Sequence, residues 1–281
     1  MSGKLYLVGT PIGNQGDISE RCAETLAAVD FIAAEDTRVS RKLLNHLGIR
    51  KSLVSYYEHN SRESGQRIVE RLLAGESCAL VTDAGMPAIS DPGEDLVRLC
   101  AEAGVEVAAV PGPSAVATAL ALSGLPTGRF TFEGFLSVTR KVRLEHLASL
   151  REEKRTMVFY EAPHKLAQTL EDLCAAFGED RRIALCREMT KLHEEVIRCT
   201  LGEARARFGE GEARGEFALV VAGAPEKDDA GEDESALARA QELASSGLSA
   251  RDAVRQASEE FRVSRSALYR AFQQAKQETE E

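Results

Sequence analysis

A chain of 281 residues with 43% hydrophobic and 28% charged side chains is long enough for two compact domains and an appendage, and its composition excludes wholesale disorder, a collagen-like repeat and a disulfide mini-scaffold. The net charge is −10; residues 1–122 hold 11 basic and 16 acidic side chains, 123–223 hold 16 and 16, and 224–281 hold 8 and 13. No segment is basic as a whole, which argues against generic polyanion binding by bulk electrostatics.

The longest apolar run, residues 115–122 broken by Thr118, is too short to cross a bilayer, and the start MSGKLYLVGTP has no basic segment leading into an apolar one; the expectation is a cytoplasmic protein without a membrane span. Six cysteines, Cys22, Cys78, Cys100, Cys174, Cys186 and Cys199, are scattered with no C-x-x-C pair. They are expected to be reduced, buried thiols with no metal site.

Along the first part, apolar runs at 5–9, 31–35, 52–56, 78–82 and 105–110 alternate with stretches of helical length, the pattern of an α/β unit with a largely parallel sheet. Helix starts are marked by Asp17 with Glu20, Asn60 with Glu63, and Asp91-Pro92-Gly93-Glu94. In such sheets ligands bind beyond the carboxyl ends of the strands, so the loops after Gly9, Thr82 and Val110 are the first candidates for chemistry. A Gly/Pro-rich joint, SGLPTGR at 123–129, separates this part from a second one. That second part reads strand at 130–135, helix at 140–150, strand at 155–161, helix at 163–176, then strands at 182–188, 192–200 and 216–223. Successive strands without a helix between them predict a mixed sheet. The run PEKDDAGEDES at 225–235, with six acids and one lysine, reads as a solvated linker. Helical patterns follow at 235–246, 249–261 and 264–277, with Ser249 and Ser264 as N-caps. The last helix carries Arg265, Arg270 and Lys276; a nucleic-acid face and a plain packing module both fit it. The expected boundaries are thus 1–123, 124–224, a linker 225–234 and a helical module 235–281.

The loop GTPIGNQGDIS has glycines at 9, 13 and 16, neither a dinucleotide fingerprint nor a P-loop. A more specific element is LVTDAGMPAISDPG, where a strand ends in Asp83 and two tight turns precede a helix, and VPGPSAVATALALSG starts a small-residue helix at Ser114. Turns of this kind expose backbone groups suited to a polar small molecule.

The blocks LYLVGTPIGNQGDIS, AAEDTRVSRKLLNHLGI, LVTDAGMPAISDPG, VPGPSAVATALALSG, FEGFL, MVFYEAPHKL and REMTKLHEE, in this order and spacing, resemble the ribosomal RNA small subunit (cytidine-2′-O)-methyltransferases of the tetrapyrrole methylase superfamily. The resemblance spans about residues 4–223 and extends to the terminal helices. It implies two α/β domains with S-adenosylmethionine in the cleft between them, a homodimer, and small-subunit (16S) ribosomal RNA or the assembled small subunit as substrate. Carried over by position, it implies cofactor contacts from Pro11, Asp83, Ala84, Gly85, Met86, Ile89, Ser114, Ala115, Glu161, Met189 and Thr190. Ser137 stands where the family often has proline, and Lys165 where arginine is usual; lysine lacks the bidentate fork of arginine.

For the reaction, a ribose 2′-hydroxyl attacks the methyl group in line, helped by a base. The candidate bases are Asp36, Glu35 and His59, in the AEDTR and YYEHN blocks. Candidate RNA contacts are Arg38, Arg41, Lys42, Asn60, Lys141 and Arg143. A methyltransferase of the same fold acting on a tetrapyrrole-like ring, and a non-enzymatic ligand sensor fused to a nucleic-acid-binding module, remain open as alternatives.

Overall fold

The computed structural model describes residues 2–57, 60–209, 213–225, 230–261 and 263–280. The chain divides into one compact unit through Ala224 and another from Pro225 onward.

The first unit opens with β1 (Lys4–Val8), α1 (Glu20–Ala28), β2 (Phe31–Ala34), α2 (Thr37–His46), β3 (Ser52–Ser55), α3 (Ser61–Leu73), β4 (Cys78–Val81), α4 (Gly93–Glu102) and β5 (Glu106–Val110). The strands form one parallel sheet in the order β3-β2-β4-β1-β5. Both faces are covered, which is why the strands read as nearly continuous apolar runs. Cys22, Leu26 and Leu44 of α1 and α2 pack on one face with Val8, Ile32 and Val81. Ile68, Leu72, Leu96 and Cys100 of α3 and α4 pack on the other with Leu5, Phe31 and Leu80. The first helix starts later than expected: Ser19, not Asp17, is its cap, and the Ser19 hydroxyl accepts from the Cys22 amide at 3.2 Å. Asp91 holds its expected corner, its carboxylate accepting from the Gly93 amide at 2.7 Å and the Ala88 amide at 2.9 Å.

Next come α5 (Ala115–Ser123), β6 (Phe130–Phe135), α6 (Arg140–Ser149), β7 (Thr156–Glu161), α7 (Leu166–Phe177), β8 (Arg182–Arg187), β9 (Glu195–Thr200), α8 (Leu201–Phe208) and β10 (Phe217–Val221). The second sheet runs β6-β7-β10-β8-β9, parallel only between β6 and β7. Strand β10 shows the two-residue period plainly: Phe217, Leu219 and Val221 join the core under α6, α7 and α8, whereas Ala218 and Val220 face α5. Helix α5 precedes the Gly/Pro joint in sequence, yet Val116, Ala119 and Leu120 pack on the second sheet. It ends at Gly124 in the left-handed conformation (φ 72°), and Arg198 of β9 donates to the Ser123 carbonyl at 3.2 Å. Helix α8 was absent from the sequence expectation, although Thr200 and Glu203 form a complete capping box at its start.

The second unit is three helices, α9 (Ala230–Ser245), α10 (Ala250–Phe261) and α11 (Arg265–Glu280), around Ala236, Ala240, Val254, Ala257, Leu268 and Phe272. Helix α9 begins five residues earlier than the 225–234 linker reading implied. Ser249 and Ser264 cap as expected, accepting from the amides of Asp252 and Ala267.

All six cysteines are unpaired, and only Cys199 is partly exposed. Burial pushes Cys78 up to about 12 and Cys100 and Cys186 to about 11, so almost no thiolate exists at neutral pH. A thiol reagent is expected to label native protein slowly and at Cys199 first, with the other five reacting only in denaturant. Rapid native labelling of Cys78, read by peptide mass spectrometry, is the contrary result.

Candidate active site

The carboxyl ends of the parallel strands meet at one edge of the first sheet, where the loops are locked together by backbone. Thr10, just after β1, makes a two-way bridge with Gly85 beyond β4: its amide donates to the Gly85 carbonyl at 2.9 Å and the Gly85 amide returns to the Thr10 carbonyl at 3.1 Å. Gly9 and Gly112 touch backbone to backbone. A Cβ on Gly9 would lie 2.7 Å from Gly112 Cα and 2.8 Å from Met86 Sδ, so only glycine permits this crossing. Gly9→Ala is expected to cost about 1–3 kcal/mol, visible as a lower thermal midpoint; unchanged stability would show that the crossing can relax.

Between this edge and the second sheet lies a cavity of about 610 Å³, within the range of small-molecule sites. Asp83, Ala84, Gly85, Met86 and Ile89 line it after β4, Ser114 and Ala115 at the start of α5, and Glu161 and Met189 from the second sheet. These are cofactor positions expected from the sequence. Pro11 and Thr190 are not in the lining. Ile12 takes the floor position instead, and the Thr190 hydroxyl accepts from the Asn14 amide at 3.1 Å, joining the first loop to the second sheet.

Glu35 also lines the cavity, its carboxylate accepting from the Thr82 hydroxyl at 2.8 Å. Asp83 accepts from the Asp36 amide at 3.1 Å. Burial, with the neighbouring Glu35 and Asp36 carboxylates, raises the Asp83 carboxyl above its ordinary value against that hydrogen bond. Asp36 is the opposite case. It caps α2 and grips Arg38 in a two-pronged pair, with Arg38 Nη2 2.6 Å from Oδ2, which holds its carboxyl down at about 2. The pair with Arg38 weakens Asp36 as a proton acceptor. His59 lies outside the described residues.

The expected RNA contacts separate in the same way. Arg41 and Lys42 are exposed on α2, whose Ser40 and Leu44 are buried. Lys141 is exposed, with Glu145 3.9 Å away. Arg38 is exposed but bound to Asp36. Asn60 is committed to its own turn, accepting from the Tyr57 amide at 2.8 Å and donating to the Ser55 carbonyl at 3.2 Å. Arg143 is corrected outright: it is buried, ion-paired to Asp172 at 2.7 Å, and donates to the Ser137 and Val138 carbonyls. Its Nε and Nη1 donors are spent on these partners.

Several lining residues were missed. Phe135, Tyr160 and His164 lie in blocks already singled out, FEGFL and YEAPH. Glu216 and Ala218 carried no local signal; they reach the cavity because β10 pairs with β7, Phe217 opposite Glu161. Strain gathers around the cavity, where Ala88, Ser90, Glu188 and Thr190 all have φ between 51° and 65°. Left-handed non-glycine residues cost free energy and persist where their surroundings dictate them. Five carboxyl groups, Glu35, Asp83, Asp91, Glu161 and Glu216, stand beside apolar Met86, Ile89, Ala115 and Met189. Such a lining suits a ligand with a positive centre and a flat apolar part.

Comparison with known proteins agrees with this geometry. The sequence profile of the tetrapyrrole (corrin/porphyrin) methylases matches residues 4–205. The "Ribosomal RNA small subunit methyltransferase I" of Synechocystis is 48% identical over 95% of this chain and 96% of its own, and that of Haemophilus influenzae is 44% identical over 96% of each. Among solved structures, a Thermus thermophilus uroporphyrin-III-C-methyltransferase shares the fold at 21% identity and TM-score 0.57, covering 78% of this chain and 94% of that one. A diphthine synthase does so at 18% identity and TM-score 0.58, covering 78% and 90%. The chain belongs to the tetrapyrrole (corrin/porphyrin) methylase family and, within it, to the ribosomal RNA small subunit methyltransferase I proteins.

Proposed function

We propose that the protein transfers the methyl group of S-adenosylmethionine to the ribose 2′-hydroxyl of a cytidine in small-subunit ribosomal RNA. Membership of the ribosomal RNA methyltransferase family over nearly the whole chain carries this reading. The acidic, partly apolar cavity fits the cofactor, with carboxylates for a sulfonium and Met86, Ile89, Ala115 and Met189 for an adenosyl group. When bound, S-adenosylmethionine supplies a methyl group already activated toward a nucleophile.

The residues of this chain then have to orient the ribose and take up the hydroxyl proton. Burial raises the basicity of both Asp83 and Asp91 where they face the cavity; Asp91 is held by the Ala88 and Gly93 amides, which leaves Asp83 as the proposed base, with Glu35 beside it. Exposed Arg41 and Lys42 on α2, whose first turn follows Glu35 and Asp36 directly, receive backbone phosphates. Thr190 holds the first loop through the Asn14 amide. A homodimer is part of the proposal: Phe135, Val138 and Val142, at the end of edge strand β6 and the start of α6, are 60%, 73% and 50% exposed and supply an apolar strip for a second copy. The substrate places the enzyme in the cytoplasm; among the described residues no helix is long and apolar enough to cross a membrane.

The test is transfer of labelled methyl from S-adenosylmethionine to small ribosomal subunits lacking the modification, with naked RNA, large subunits and tetrapyrrole precursors in parallel. Label recovered as 2′-O-methylcytidine from small-subunit RNA is the expected result. Label on a tetrapyrrole, or none on any RNA while the cofactor binds, overturns it.

A further inference from the structure

The second unit has an acidic composition, yet its described arginines fall into two classes. Arg239 is neutralised by Glu242 at 2.7 Å and Glu260 at 3.2 Å, and Arg255 by Asp252 at 3.3 Å. Arg251, Arg265 and Arg270 have no acidic partner among the described residues. All three are exposed, and all three line one surface concavity of about 850 Å³ together with Ser264, Ser266 and Tyr269. Helix α11 buries Leu268 and Phe272 in the core of the unit. The pairs Arg265/Tyr269 and Ser266/Arg270 lie four residues apart, so each pair stacks along the helix surface. Tyr269 is 41% exposed, and Arg251 comes in from α10. Three like charges held together without counterions repel one another, which a polyanion relieves.

We infer that this concavity binds the sugar–phosphate backbone of RNA, with Arg251, Arg265 and Arg270 on phosphates and Tyr269 available to stack on an unpaired base. The inference rests on the RNA-methylation reading and adds to it a second contact surface that shares no lining residue with the candidate active-site cavity. Guanidinium groups suit phosphate through their planar fork, and exposed aromatic rings beside cations are the usual platform for single-stranded RNA. The three described hydroxyl-bearing side chains in the lining add neutral donors without adding negative charge.

The test measures equilibrium binding of a fluorescent small-subunit RNA fragment to the full chain across a potassium chloride series, for wild type, Arg251→Gln/Arg265→Gln/Arg270→Gln, the corresponding triple lysine variant, and Tyr269→Ala. S-adenosylmethionine binding and labelled-methyl transfer are read separately. The glutamine variant is expected to flatten the slope of log K against log salt by about 2–3, with cofactor affinity unchanged, while the lysine variant keeps most of the slope. Tyr269→Ala is expected to weaken RNA binding roughly tenfold with the slope retained. Unchanged affinity and slope in the glutamine variant overturn the inference, as does a wild-type preference for duplex DNA of particular sequence. Absence of methyl transfer by a wild type that binds RNA through these arginines counts against the active-site reading instead, so the two failures are told apart.

Discussion

Replacing Arg143 by methionine is expected to destabilise the first unit by about 3–5 kcal/mol and to leave the salt dependence of RNA binding unchanged. The side chains of Arg143 and Asp172 are only 11% and 6% exposed, and removing one partner of a buried pair strands the other charge. Asp172 would keep only the Gln168 amide at 3.3 Å, and the Ser137 and Val138 carbonyls would lose their donor. The pair ties the segment after β6 to α7, so the loss is one of architecture. Urea unfolding followed by circular dichroism measures it. The double variant Arg143→Met/Asp172→Leu, which removes both charges, is expected to recover most of the stability. A fully stable Arg143→Met with weakened, salt-dependent RNA binding would restore Arg143 as a phosphate contact.

Asp83→Asn is expected to lower kcat by about 10²–10⁴-fold, the usual worth of a positioned base, read at saturating S-adenosylmethionine because the side chain also lines the cofactor cavity. The asparagine carbonyl still accepts from the Asp36 amide, so the loop geometry survives. The direction of the pH dependence follows from the raised carboxyl. The ionised form is the working base, so activity is full at high pH and is lost as pH falls through the Asp83 value, which burial raises from its ordinary position. Asp36, held at about 2 by Arg38, stays ionised throughout that window and contributes no limb to the profile. Asp36→Asn is therefore expected to change kcat only a few-fold. An Asp83→Asn enzyme with full kcat and an unmoved acid limb would shift the role to Glu35, its neighbour in the lining.

Most elements, α8 excepted, and the strand ends that carry the candidate site are legible in the amino-acid sequence. Apolar runs such as FIAA and CALV, capping residues such as Asp91 and Ser249, and glycine-rich loops after β1, β4 and β5 are local signals, because strand period, cap geometry and turn conformation are set within a few residues. The turn Asp83–Met86 and the helix start at Ser114, which line the cavity, are legible as candidate ligand loops for the same reason. Partners far apart in the chain are fixed only by the three-dimensional fold. Arg143 lies in a basic cluster that looks solvated until α7 brings Asp172 against it. Asp36 and Glu35 are adjacent acids in sequence, but the fold gives one to Arg38 and turns the other into the cavity. Glu216 and Ala218 reach the site only through the β7–β10 register, and α5, all but featureless as AVATALALS, crosses the Gly/Pro joint to cover the second sheet. Burial and pairing of a charge depend on what long-range contacts place beside it, so side chains alike in sequence become a buried strut, a surface clasp or an acid facing the cavity.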